Sequence, residues 1–175
     1  MRTFILWLLA VCVVFLASAC SGPAGSQAEK PAVLPEKVSP RVVAQGEIVL
    51  EAEGLALKDC AAKSLAGASG GKAVLFDKES SEARGTVELK KGKYKAVVYM
   101  EGASDDEDAV YVTVGQGSKT RVFADEHGAV VAGTLYESED QFFTVTIDKE
   151  GPCSVVLTTA EKNVYVDRVV LARQE

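Results

Sequence analysis

A chain of 175 residues with 19 basic against 25 acidic side chains carries a formal charge of -6, which argues against nucleic acid or anionic lipid held by charge. Its one histidine, His127, cannot build a zinc site of several imidazoles, nor can it supply a histidine-paired nucleophile together with an independent base. The length suits a single domain, and no internal repeat is evident.

Residues 1–19 read as a secretory signal: Arg2, an apolar run over 4–16 too short to cross a bilayer comfortably, then small residues. Leu16-Ala17-Ser18-Ala19-Cys20 resembles a bacterial lipobox, with alanine where an aliphatic residue is usual. The resemblance implies that Cys20 is acylated, palmitate included, and becomes the new N-terminus. Its chains would hold the protein at a membrane. Ser21 after the cysteine points to the outer membrane in a double-membraned bacterium; ordinary signal cleavage is the alternative. Either way the location is extracytoplasmic, and the mature chain has 18 basic and 25 acidic residues.

The stretch 20–45 holds Pro23, Pro31, Pro35 and Pro40 with no apolar periodicity, so it reads as a mobile, extended tether. From 46 to 175 short alternating runs are punctuated by Gly, Asp and Ser, the pattern of a β-sandwich. Strands are expected over 47–53, 60–65, 72–76, 84–89, 93–100, 109–114, 118–123, 130–136, 141–147, 153–159 and 164–171. Turns such as Lys90-Lys91-Gly92-Lys93 and Lys149-Glu150-Gly151-Pro152 join them. Cys12 leaves with the signal and Cys20 takes lipid, which leaves Cys60 and Cys153 either as a disulfide in an oxidising compartment or as two buried thiols.

Three stretches carry the chemistry. In a strand over 47–53, Glu51 and Glu53 share one face about 7 Å apart. They mark a solvated edge or, with Asp167, the ligands of a cation. A hard, oxygen-liganded ion also accounts for Gly70 and Gly71, which let the main chain turn tightly enough to offer a carbonyl. The acidic run 105–108 is a second calcium loop or a solvated turn. Sugar binding needs an aromatic face and directed polar groups, yet the sole tryptophan, Trp7, lies in the signal. The remaining candidates are Tyr136, Phe142, and Tyr165 beside Asn163. His127, in the loop Asp125-Glu126-His127-Gly128, is a solvated side chain or a metal or sugar contact.

An opening EAE strand, an ASGGK turn some 15 residues on, the acidic loop leading into DDEDAVYVTV and a closing DRVVL strand resemble carbohydrate-binding modules of families six and thirty-five over about 47–173. Asp108 is followed here by Ala109 rather than the serine frequent in those modules. The resemblance implies an all-β jelly-roll sandwich of two antiparallel sheets with a structural calcium between its first and last strands. By position, the ligands would be the side chains of Glu51, Glu53 and Asp167, with carbonyls near Lys72 and at Asp167. The function expected is non-catalytic binding of a polysaccharide or cell-envelope glycan. The alternative is an envelope lipoprotein that keeps the fold without sugar binding and engages a protein partner.

Overall fold

The computed structural model describes residues 41–43, 46–135 and 138–175. The signal 1–19, Cys20, most of the tether and Tyr136 lie outside them. In chain order the strands are β1 (Arg41–Val43), β2 (Glu47–Glu51), β3 (Ala56–Lys58), β4 (Ala61–Ser64), β5 (Lys72–Phe76), β6 (Glu82–Leu89) and β7 (Gly92–Glu101). There follow β8 (Ala109–Val114), β9 (Thr120–Phe123), β10 (Val131–Ala132), β11 (Thr134–Leu135), β12 (Phe143–Ile147), β13 (Gly151–Thr159) and β14 (Val164–Arg173). They form two antiparallel sheets: one of eight strands centred on β14, the other of six in the order β11-β9-β8-β13-β6-β3. The architecture is a jelly-roll sandwich.

Side-chain alternation builds the core. Tyr94, Ala96, Val98 and Met100 of β7 point inward against Val110, Val112 and Val114 of β8, and all are buried. Phe76, Leu157, Val166 and Leu171 join the same cluster. Each large side chain removed from water here contributes about 1.5–3 kcal/mol.

β14 positions the site. On one side it pairs with β7 along nearly its whole length. Its other side is divided, with β5 opposite Val164–Val166 and β2 opposite Arg168–Ala172. Between the two lies Asp167, which has no partner in any of the three ladders and marks a register shift against β7. A bulge of this kind re-aims a side chain.

Four expectations are corrected. Glu53 does not share a strand face with Glu51: β2 stops at Glu51, and Ala52–Gly54 is a 3-10 turn. The run expected over 130–136 is two short strands in different sheets, β10 on β7 and β11 on β9. The chain crosses between them at Gly133, where a Cβ would stand 2.5 Å from Val122 Cγ1. β1, inside the expected tether, pairs with β2. The disulfide is absent, since Cys60 and Cys153 are both free. Cys60 Sγ donates to the Glu82 carbonyl, whereas Cys153 pairs with Val87. Five residues along β6 span roughly 17 Å, far beyond the approximately 7 Å Cα separation that a bridge tolerates. Burial pushes both thiols above their ordinary range, which makes them poor nucleophiles.

Candidate metal and glycan sites

The seam at Asp167 gathers acids from across the chain. Glu51 closes β2, Glu53 sits in the 3-10 turn Ala52–Gly54, and the turn Ser69–Gly71 folds over both. The Ser69 backbone N–H donates to Asp167 Oδ1 at 2.8 Å and its hydroxyl to Glu51 Oε1 at 3.1 Å. Arg168 donates to Asp167 Oδ2 while its guanidinium stacks 3.9 Å over the Tyr99 ring. Gly70 adopts φ +69°, and a Cβ there would meet Glu53 Oε1 at 3.6 Å. Glycine is the residue that takes this conformation without strain.

The electrostatics of the seam are unfavourable as they stand. Asp167 is fully buried. Burial pushes the Glu53 carboxyl above its ordinary range, and repulsion from Glu51 and Asp167 adds to the effect, against a backbone hydrogen bond and the Lys72 ammonium. Burial raises Asp167 as well, opposed by Arg168 and the Ser69 N–H and reinforced by Glu51. Glu51 Oε2 and Glu53 Oε2 are buried without a hydrogen-bond partner. Each orphaned acceptor costs about 1–3 kcal/mol, and more when charged. Among the described residues no three His, Cys, Asp or Glu side chains stand ready to enclose a metal ion, and the second oxygen of Asp167 is turned to Arg168. The donor set is nonetheless all oxygen, which suits calcium and not zinc. Two unpartnered buried oxygens fit a cation that would bring the carboxylates together.

A second polar cluster lies where the β7–β8, β9–β10 and β13–β14 loops meet. Glu161 Oε2 accepts the backbone N–H groups of Asp108 and Ala109, and Oε1 takes Arg121. These bonds hold Glu161 below its ordinary range against the opposing effect of its own burial. Asp108 is buried. Burial, a hydrogen bond to Glu161 and the negative charge there push it up to about 6, against His127. His127 Nε2 stands 3.7 Å from both Asp105 Oδ1 and Asp108 Oδ2. Sequence reasoning missed Asp108, Arg121 and Glu161 as a unit. A signal for Asp108 was present: Val114, Val112 and Val110 point inward, and one more step back in that alternation reaches Asp108.

The remaining candidates are dispersed. Asn163, with φ 62°, donates to Glu107 of the β7–β8 loop, the loop that His127 meets through a parallel bridge to Gly102. Tyr165 lies on β14 opposite Glu101 and Leu75, on the outer face of the eight-stranded sheet. Phe142 directly precedes β12, with the Lys95 ammonium 4.0 Å above its ring. Lys72 opens β5 beside the acidic seam.

Two antiparallel sheets, sewn by a closing strand whose buried acid lies near those of the opening strand and turn, form a jelly-roll sandwich, the fold of family 35 carbohydrate-binding modules. The likeness to solved structures is one of fold. A family 35 carbohydrate-binding module from Clostridium thermocellum superposes with a TM-score of 0.55 at 13% identity, covering 74% of this chain and 99% of that one. The GH26-CBM35 β-(1,4)-mannanase of Podospora anserina gives 0.61 at 16% identity over 75% of this chain and 28% of that one. The exo-β-1,3-galactanase of Phanerochaete chrysosporium, solved with β-1,3-galactotriose, gives 0.58 at 19% over 72% and 29%. The match therefore spans under a third of either enzyme. No family model and no curated protein matches the chain.

Proposed function

We propose that residues 46–175 are a non-catalytic glycan-binding module on a lipid-anchored, extracytoplasmic envelope protein, stabilised by one structural calcium ion. The observation that carries this reading is the meeting of Glu51, Glu53 and Asp167 at a seam with two orphaned carboxylate oxygens, in a fold shared with a family 35 module. Those three side chains would hold the ion, with main-chain carbonyls near Lys72 and at Asp167. Calcium would supply positive charge where burial and mutual repulsion now oppose ionisation, and so would tie the opening strand to the closing one. The anchor rests on the sequence 16–20, with acyl chains on Cys20. The glycan reading draws on the company of the fold, which occurs in a mannanase and in a galactanase solved with its trisaccharide.

The test is a polysaccharide array probed with the protein in calcium buffer and again in chelator. Retention on at least one polysaccharide in calcium is the expected result. A second reading, an envelope protein that keeps the sandwich and binds another protein, is favoured by one observation. The rings of Tyr99 and Phe142 on the eight-stranded sheet each carry a cation over one face, Arg168 and Lys95 respectively, which leaves less aromatic surface for sugar stacking. Failure on every polysaccharide together with co-purification of an envelope protein would decide for it.

A further inference from the structure

Thr134 opens β11 and pairs with Phe123 of β9. Its neighbours in the alternation settle which way it points. A Cβ on Gly133 would run into Val122 Cγ1 and Met100 Sδ, and Val122 and Ala124 belong to the core cluster, so Thr134 and Phe123 face the other side of the sheet. A threonine on an outer face ordinarily meets water. Thr134 is nevertheless only 4% exposed, and its Oγ1 is buried without a hydrogen-bond partner. An orphaned hydroxyl of this kind is destabilising until something completes it.

Thr134 forms the floor of a cleft of about 530 Å³ whose other walls are Phe123, Asp125, Ser138 and Glu139. That volume lies within the usual range for small-ligand sites. The β11–β12 loop is pinned back against β11, because the Ser138 N–H bonds to the Leu135 carbonyl and the Leu135 N–H to the Asp140 carbonyl. Ser138 Oγ accepts the Asp140 N–H at 3.0 Å. Asp125 and Glu139 are exposed at the rim, and among the described residues neither has a cation within salt-bridge reach.

We infer that this cleft binds a primary alkylammonium group, carried by a free polyamine or by a lysine side chain. An ammonium has three N–H donors and no acceptor. Asp125 and Glu139 supply two anionic acceptors, and Thr134 Oγ1 supplies a neutral third at the floor, where the incoming N–H completes the orphaned hydroxyl. A metal ion is a poorer match. Only two carboxylates line the cleft, and among the described residues no three His, Cys, Asp or Glu side chains could enclose a metal, whereas calcium takes about six to eight oxygens. An anion would enter against like charge. The inference stands on Thr134 and the two rim acids and does not depend on glycan binding.

The test is a titration of the isotope-labelled protein at constant ionic strength, followed by backbone amide shifts, with putrescine, Nα-acetyllysine methylamide, 1,4-butanediol and tetramethylammonium. Calcium in the buffer fills any competing metal site beforehand. Expected are shifts at Asp125, Thr134, Ser138 and Glu139 with putrescine or with the lysine derivative. None should appear with the diol, which lacks the charge, or with tetramethylammonium, which lacks the N–H donors. Tighter binding of the diamine assigns a free polyamine, and tighter binding of the lysine derivative assigns a protein side chain; either upholds the site. Affinity should fall roughly tenfold or more when Asp125→Asn is combined with Glu139→Gln, both at exposed positions. Thr134→Val should weaken binding roughly threefold without lowering the melting temperature, since the hydroxyl it removes has no partner in the protein. Wild-type affinity in Thr134→Val, an equal response to tetramethylammonium, shifts spread along residues 105–108, or no shift with either amine would overturn the inference, whether or not the protein is retained on a polysaccharide.

Discussion

Ser69 and Asp167, 98 positions apart, are joined by a 2.8 Å hydrogen bond from the Ser69 backbone N–H to the Asp167 carboxylate. That bond lays the Ser69–Gly71 turn over the seam of β14 and brings a main-chain loop beside two carboxylates with unsatisfied oxygens. Calcium bound there only by the folded state adds about 2.7 kcal/mol when it is 100-fold above its dissociation constant, roughly 10 °C for a domain of this size. Chelator should lower the melting temperature by that order, and Glu51→Ala combined with Asp167→Ala should abolish the response. An unchanged melting curve for the wild type in chelator would remove calcium from the account.

Glu53→Gln gives a sharper sign. In chelator the substitution removes a charge that is partly buried and repelled by Glu51 and Asp167, so the variant should melt higher than the wild type. In saturating calcium it loses a ligand and should melt lower. A crossing of the two stabilities is the outcome to look for; a variant that is less stable in both buffers argues for a packing role instead.

Acidity should act on the seam through the same groups. Glu53 and Asp167 are raised above their ordinary range in the metal-free fold, so the folded state holds their protons more tightly than the unfolded chain does. The stability they contribute is present below the ordinary carboxyl range and is lost as pH rises through the raised values. Calcium must displace those protons, so its apparent affinity should fall steadily on acidification. Calorimetric titrations at pH 7.5 and pH 5.5 in buffers of different ionisation enthalpy would show proton release, and equal affinities would contradict the geometry.

With calcium saturating, Asp108 and Glu161 should dominate the remaining pH dependence. Asp108, raised to about 6, contributes stability that is complete below its unfolded value and is lost as pH rises through 6. Glu161, lowered, contributes stability above its ordinary value and loses it as pH falls below that. Together they predict a shallow maximum near pH 4, between the ordinary values of the two carboxyls. Asp108→Asn, neutral at every pH, should flatten the limb above that maximum and leave the acid limb in place. Thermal melts between about pH 2 and 8 distinguish the two limbs.

Gly133→Ala should cost about 1–3 kcal/mol by overpacking, because its Cβ would meet Val122 Cγ1 at 2.5 Å and Met100 Sδ at 2.9 Å. The loss should show as a lower denaturant midpoint with an unchanged slope. Reductant, by contrast, should leave stability where it is, since Cys60 and Cys153 form no bridge.

What the sequence disclosed, and what it hid, follows from the range of the forces involved. The inward row Tyr94, Ala96, Val98 and Met100 is written in local alternation, and so are the limits of β5 and β8. The approach of Glu51 and Asp167 was expected from a resemblance carried by separated motifs, and the fold places them at one seam. Glu53 leaving its strand was not legible, because a single 3-10 turn after Glu51 depends on how Ala52 packs beneath β14, a long-range fact. Asp108 was obscured by its company: among four successive acidic residues, composition alone treats it like Asp105, and only β9 and Glu161 set it apart. The separation of Cys60 from Cys153 rests on the register of β6 with both neighbours, which no count of cysteines supplies.

The division of β14 between β2, β5 and β7 has a consequence for biogenesis. Of the described strands β14 is the latest in the chain, so its three ladders to β2, β5 and β7 cannot form while residues up to 173 are still inside the ribosome, whereas the six-stranded sheet, which lacks β14, has all its strands earlier. A nascent chain stalled before Val164 should therefore stay protease-sensitive at β2 and β5, which β14 ties to β7, and gain protection there in a late step once β14 is free to insert.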